Sequence, residues 1–164
     1  MKRSIQIILV LCFCFTLTAK AQITKIDTYS NKIKGLSAAQ KDELDLLFFG
    51  SVPKIFISEE GKSIMLWPEK GSVKTVELNY KQIQHLKDES LSISYKSVEV
   101  ISIDIRKDKA FRLDDSYLSN FPNLKYLLIS SSDEISMEEI KSILRDLSAS
   151  NQLEVLFRKI NTSS

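Results

Sequence analysis

The chain has 164 residues, 43% of them hydrophobic and 27% charged, with 23 basic against 21 acidic side chains, four glycines and three prolines. At roughly 100 to 150 residues per typical domain, that is enough for one self-sufficient core. Charges of both signs are interspersed, which excludes the basic patch that dominates nucleic-acid affinity.

The N-terminus, MKRSIQIILVLCFCFTLTAKAQ, joins a basic start at Lys2 and Arg3 to an apolar run ending near Leu17 and to Ala19-Lys20-Ala21. This is the three-part layout of a secretory signal peptide, with small residues where the peptidase reads. The run falls short of the roughly 20 apolar residues that a membrane-spanning helix needs. Cleavage after Ala21 is expected, and the ending resembles bacterial signal peptides. Loss of Lys2, Arg3 and Lys20 leaves 20 basic against 21 acidic residues, and both cysteines, Cys12 and Cys14, leave as well. The mature chain then has no thiol, no transmembrane segment and no disulfide to support it. A bacterial periplasmic or extracellular location follows.

Residues 22–35 read as a loose leader. Ser37 and Gln40 form a capping box, and Leu44, Leu47 and Phe48 stripe a helix over residues 38–49 that would cover one sheet end. Next come Val52, Ile55 and Ile57, then the turn cluster EEGK, a strand over residues 63–67, a second turn cluster PEKG, and Val73, Val76 and Leu78. Strands joined by tight turns predict an antiparallel meander. Leu91, Ile93 and Tyr95 alternate as a further strand would. After them Val98, Ile101 and Ile103 precede Leu118 and Phe121, which fit a short helical turn near Pro122. Leu124, Leu127 and Ile129 form the next strand. Ser136 and Glu139 make another capping box, followed by Ile140, Ile143, Leu144 and Leu147 at helical spacing. A helix over residues 137–149 between two strands is the usual crossover for parallel pairing.

One spacing recurs in SVPKIFI, SVKTVEL, SVEVISI, NLKYLLI and QLEVLFR, whose first apolar residues, Val52, Val73, Val98, Leu124 and Leu153, are 21, 25, 26 and 29 apart. The pattern resembles the leucine-rich repeat family, with its L-x-x-L-x-L-x-x-N consensus and a period of 20 to 29 residues. The resemblance covers about residues 50–160. Where that family has Asn, these units have Glu60, Lys81, Arg106, Ser132 and Asn161, so its side-chain ladder is mostly missing. Arg158 also stands where the fifth unit should have an apolar residue. The fold class implied is α/β, a short leucine-rich-repeat-like stack with parallel strands in the C-terminal half and a mixed sheet with antiparallel strands in the N-terminal half. Residues 36–164 form a single domain in this reading.

No residues assemble into a recognisable catalytic set. His85, the only histidine, has neither a G-x-S-x-G nucleophile nor partners for zinc, and reads as a surface residue. Asp104, Asp108, Asp114 and Asp115 lack the spacing and glycine of a calcium loop and read as solvated or capping charges. A carboxylate-dependent hydrolase acting on a glycan, with Asp104 and Asp114 or Asp115 as its pair, is the enzymatic alternative, and a structural subunit of an envelope assembly is another. No metal or cofactor is expected.

Strand side chains alternate faces. With Leu127 and Ile129 turned inward, Tyr126, Leu128 and Ser130 turn outward, as do Lys54, Phe56 and Ser58; Thr75, Glu77 and Asn79; Val100, Ser102 and Asp104; and Val155, Phe157 and Lys159 in the other units. An open stack would expose Val100, Ser102, Tyr126, Leu128, Val155 and Phe157 as a contact surface for a protein or envelope component. The competing arrangement covers that face with the leader, the helix over residues 38–49 or Trp67, as in an α/β sandwich. The function expected is that of an exported, non-enzymatic binding module.

Overall fold

In the computed structural model, residues 26–107, 111–148 and 153–160 are described. The expected signal peptide, both cysteines and Asp108 lie outside them. Seven strands, β1 (Ile26–Thr28), β2 (Lys54–Ile57), β3 (Ser63–Leu66), β4 (Thr75–Asn79), β5 (Val100–Ile105), β6 (Tyr126–Ser131) and β7 (Glu154–Lys159), form one mixed sheet in the order β1-β7-β6-β5-β4-β2-β3. Every neighbouring pair is parallel except β2 with β3. Among the described residues no helix is long and apolar enough to cross a membrane.

Parallel neighbours need crossovers, and here these are short. A 3-10 helix over Tyr80–Lys87 and a helix α3 (Ser92–Tyr95) lead from β4 to β5. Helix α4 (Asp115–Leu118) leads to β6, and α5 (Met137–Ile143), started by the Ser136 and Glu139 capping box, leads to β7. All pack on one face of the sheet. Ile55, Val76, Ile101, Leu127 and Val155 share one row of that face, and Ile57, Leu78, Ile103 and Ile129 lie in the next. With Leu86, Tyr95, Leu113, Phe121 and Ile140 from the crossovers they make the main core.

The opposite face carries a smaller core. Helix α2 (Ala38–Phe49) starts at the Ser37 capping box, where the Ser37 amide donates to Gln40 Oε1 at 3.0 Å, and ends at Gly50. Its Leu44 and Phe48 press on Val100, Leu128 and Leu156. The Thr75 hydroxyl donates to the Leu47 carbonyl at 3.1 Å, tying the helix to β4. Its bounds are those expected from the sequence.

Several expectations are corrected. The leader is structured from Ile26. β1 pairs with β7, α1 (Tyr29–Lys34) follows under a Thr28 cap, and Lys32 pairs with Glu154 at 2.8 Å. Ile26 joins the main core while Tyr29 and Ile33 join the smaller one, so both faces hold the segment in place.

The meander does not form, because β4 lies on the far side of β2, parallel to it, and β3 is left at the edge. Parallel register sets Ile55 beside Val76 and Ile57 beside Leu78 in the main core, whereas Ser63, Ile64 and Met65 of β3 stay exposed. The turn between β2 and β3 needs glycine, since Gly61 has φ +77° and a Cβ there would lie 2.6 Å from His85 Nε2.

Leu91 and Tyr95 belong to helical turns, four residues apart on one buried side, while Ile93 between them is 82% exposed. The helix after Ser136 stops at Ile143, although Leu144 and Leu147 remain in the core.

The fifth rung is shifted. Val155 pairs with Leu127 and Phe157 with Ile129, so both face the main core, and Leu156 and Arg158 face α2. The stretch Leu153-Glu154-Val155-Leu156-Phe157 offers apolar residues to either face, and the neighbouring strand selects between them.

Candidate binding groove beside the covering helix

On the α2 face, the strand register lays side chains in three rows. Nearest the amino ends of the parallel strands are Lys54, Thr75, Val100, Tyr126 and Glu154. The middle row runs Phe56, Glu77, Ser102, Leu128 and Leu156. Toward the carboxyl ends come Asn79, Asp104, Ser130 and Arg158.

Helix α2 covers Thr75, Val100 and Tyr126 of the first row and Leu128 and Leu156 of the second. Val100 and Leu128 are 0% and 1% exposed, and Tyr126 is half-buried with its ring 5.3 Å from that of Phe48, edge to face. Where α2 ends, a groove of about 360 Å³ opens between Phe49, Phe56 and the third row.

The expected contact surface is corrected accordingly. Val100 and Leu128 lie beneath α2, and Val155 and Phe157 point to the other side of the sheet. Of the six, Ser102 and the edge of the nearly buried Leu128 line the groove, and Tyr126 borders the hollow at the other end of α2. Other lining residues on the strands, Phe56, Glu77, Asn79, Asp104, Ser130 and Arg158, were within reach of the same two-residue alternation. What that alternation could not show is which part of the face α2 would cover.

The charges in the groove differ in how well they are satisfied. Glu77 accepts from Lys54 Nζ at 2.5 Å, and Lys54 Nζ also lies 5.5 Å from the Trp67 ring. Arg158 lies with its guanidinium carbon 4.1 Å from the centre of the Phe49 ring. Asp104 has no ion pair within 4 Å among the described residues. Burial pushes its carboxyl above the ordinary carboxylate range, Asp133 adds to the effect, and Arg106 and a hydrogen bond with Asn79 oppose it.

A second hollow of about 340 Å³ lies at the other end of α2, around Lys32, Glu43, Glu99, Lys125 and Tyr126. Its central carboxylate is compensated, because Glu99 accepts from Lys74 at 2.5 Å and from Lys125 at 2.6 Å. Burial alone would raise the Glu99 carboxyl, but the bonds from Lys125 and Lys74 bring it below its ordinary value.

The carboxylates considered for hydrolysis are not brought together. Asp104 faces the groove, whereas Asp114 caps α4 through the Ser116 amide at 2.8 Å and Asp115 accepts from the Ser148 amide at 2.8 Å, both on the crossover side. His85 is half-buried, with its carbonyl accepting from the Tyr95 hydroxyl at 3.1 Å and its ring against Gly61. Among the described residues no three His, Cys, Asp or Glu side chains cluster closely enough to hold a metal.

No protein-family model, curated protein or solved structure matches the chain.

Proposed function

We propose that the protein is an exported, non-enzymatic binding module that receives a protein or envelope component in the groove beside α2. The observation that carries this reading is the groove itself, a preformed hollow at the carboxyl ends of the strands, walled by Phe49 and Phe56, with Leu128 and the polar side chains of Asn79, Ser102, Asp104 and Ser130 along its floor. Rigid strands position that floor, so association orders few side chains and loses little entropy. Aromatic walls and convergent polar groups are the usual composition of a ligand site.

The scaffold in this reading is a short, irregular stack of the leucine-rich-repeat kind. Its support is the uninterrupted sequential order of β4, β5, β6 and β7, together with hydrogen bonds running from rung to rung. The Ser97 hydroxyl donates to the Val73 carbonyl at 2.8 Å and Asn123 Nδ2 donates to the Lys96 carbonyl at 2.7 Å. Arg106 donates to Ser132, two of the positions where the family carries Asn. Small polar residues ahead of β5 and β6 thus take over part of the missing ladder.

Site-specific photo-crosslinking tests the proposal. A benzophenone side chain in place of Phe56 should give a discrete adduct with an envelope fraction, competed by unlabelled protein and abolished by Ser102→Trp, which fills the groove. The same probe in place of Ile93, on the crossover side, should give none. Equal labelling from both positions would refute a groove-directed partner.

A further inference from the structure

We infer that the groove takes one basic side chain of an extended peptide segment, with Asp104 as its counter-ion, and that Arg158 receives an acidic group of the same segment. This rests on the groove being the binding site and names the partner chemistry. Asp104 and the exposed Glu59 are the groove carboxylates without an ion pair within 4 Å among the described residues, whereas Glu77 is bound to Lys54. Of the two, Asp104 is the partly buried one and stands in the same strand row as Arg158. Partial burial makes the ionised Asp104 carboxylate costlier than a fully solvated one, and a cation brought by a ligand offsets that cost. The aliphatic stem of Lys or Arg fits the surface of Phe56, which is 38% exposed at the groove wall.

Arg158 narrows the choice. It stands in the same row as Asp104, two strands away across Ser130, and neighbouring strands lie about 4.8 Å apart, so the two residues' backbones are about 10 Å from each other. A polyamine or a run of basic residues would place a cation against Arg158. An extended peptide puts residues two apart on one side, about 7 Å from each other, and long side chains span the remainder. Its backbone and small polar groups meet Asn79, Ser102 and Ser130 on the groove floor. A Lys or Arg two residues from an Asp or Glu is therefore the complementary pattern.

The test is a titration of the protein, followed by amide chemical shifts and calorimetry, with three capped hexapeptides that differ only at two positions two residues apart. One carries Lys and Glu there, one carries Gln at both, and one carries Lys at both. The Lys/Glu peptide should shift the Ser102 and Ser130 amides and bind at least about tenfold more tightly than either other peptide. Asp104→Asn should erase that preference while leaving the Gln peptide unaffected, and Arg158→Gln should restore binding of the Lys/Lys peptide. Equal affinity for all three peptides, abolished by Ser102→Trp, would overturn the charge assignment and leave the groove intact as a site. Spermidine competing as well as the Lys/Glu peptide would overturn the peptide assignment. If no peptide perturbed the groove resonances, this inference and the groove reading would both fall.

Discussion

Phe48 of α2 and Tyr126 of β6 meet edge to face with their ring centres 5.3 Å apart, and this contact divides the sheet face into a covered part and an open one. Phe48 also touches the rings of Tyr29 and Phe49, so one side chain joins α1, the end of α2 and the sheet. Beneath it Val100, Leu128 and Leu156 are dry, and just beyond it the groove begins.

Phe48→Ala should therefore do more than leave a cavity. Phe48 is 2% exposed, and truncating a buried Phe to Ala costs about 3 to 5 kcal/mol. Urea unfolding measures that loss. Because α2 would be loosened on the smaller core, the variant should also bind a hydrophobic dye in its folded state. Unfolding within about 1 kcal/mol of the parent, with no dye binding, would mean that α2 does not hold this face closed.

The shifted fifth rung separates two neighbouring substitutions. Val155→Asp places a carboxylate in the main core, where an unpaired charge costs several kcal/mol, and should prevent folding at about 25 °C. Arg158→Ala removes a contact with Phe49 on the open side and should cost about 1 kcal/mol or less. Circular dichroism of the two variants reads the register directly, and the reverse order of severity would refute it.

Asp104 and Glu99 should give opposite pH behaviour. The folded protein holds Asp104 above its unfolded value, mainly through burial, so ionising it costs native stability at neutral pH and costs nothing below the ordinary carboxylate range. Asp104→Asn should be the more stable protein at neutral pH, and the gain should vanish on acidification. Glu99 is held below its unfolded value, where Lys125 and Lys74 outweigh burial. Its contribution is present above the unfolded value and is lost as the pH falls through the folded one. Glu99→Gln should cost about 1 kcal/mol at neutral pH, allowing for screening of partly exposed partners, and progressively less in acid. Thermal melts across the acid range report both trends.

The rung-to-rung hydrogen bonds make a smaller, local prediction. Asn123→Ala removes the bond to the Lys96 carbonyl and should cost about 1 kcal/mol, as should Ser97→Ala with its bond to Val73. Asn123→Ser, too short to reach that carbonyl, should behave like Asn123→Ala. Full stability in Asn123→Ala would show that these contacts do not hold the strands together.

How far the sequence carried the fold depended on whether a signal was local. The Ser37 and Gln40 box set the start of α2, and it was legible because capping is completed within one turn. The rows through Ile101 and Leu127 were legible because each strand offers a consistent apolar set to one face. Leu91, Ile93 and Tyr95 were read with a period of two, yet Leu91 and Tyr95 fit a helix as well, and burial of Tyr95 decided the outcome. The position of β7 could not be fixed alone, since Val155, Leu156 and Phe157 suit either face. The groove was half visible. Ser102, Asp104 and Ser130 followed from alternation, but the length of sheet that α2 covers is a packing property, and Val100 and Leu128 were assigned to the open side without it.

Thiol labelling tests the division of the sheet face most directly. The chain from Gln22 onward has no cysteine, so Ser102→Cys, Val100→Cys and Leu128→Cys each supply a single thiol. In the native protein, Ser102→Cys should react readily with a maleimide, while Val100→Cys and Leu128→Cys should react only at the rate of unfolding. Comparable native reactivity at all three positions would contradict the account, because the face would then be open throughout and no groove would be set apart by α2.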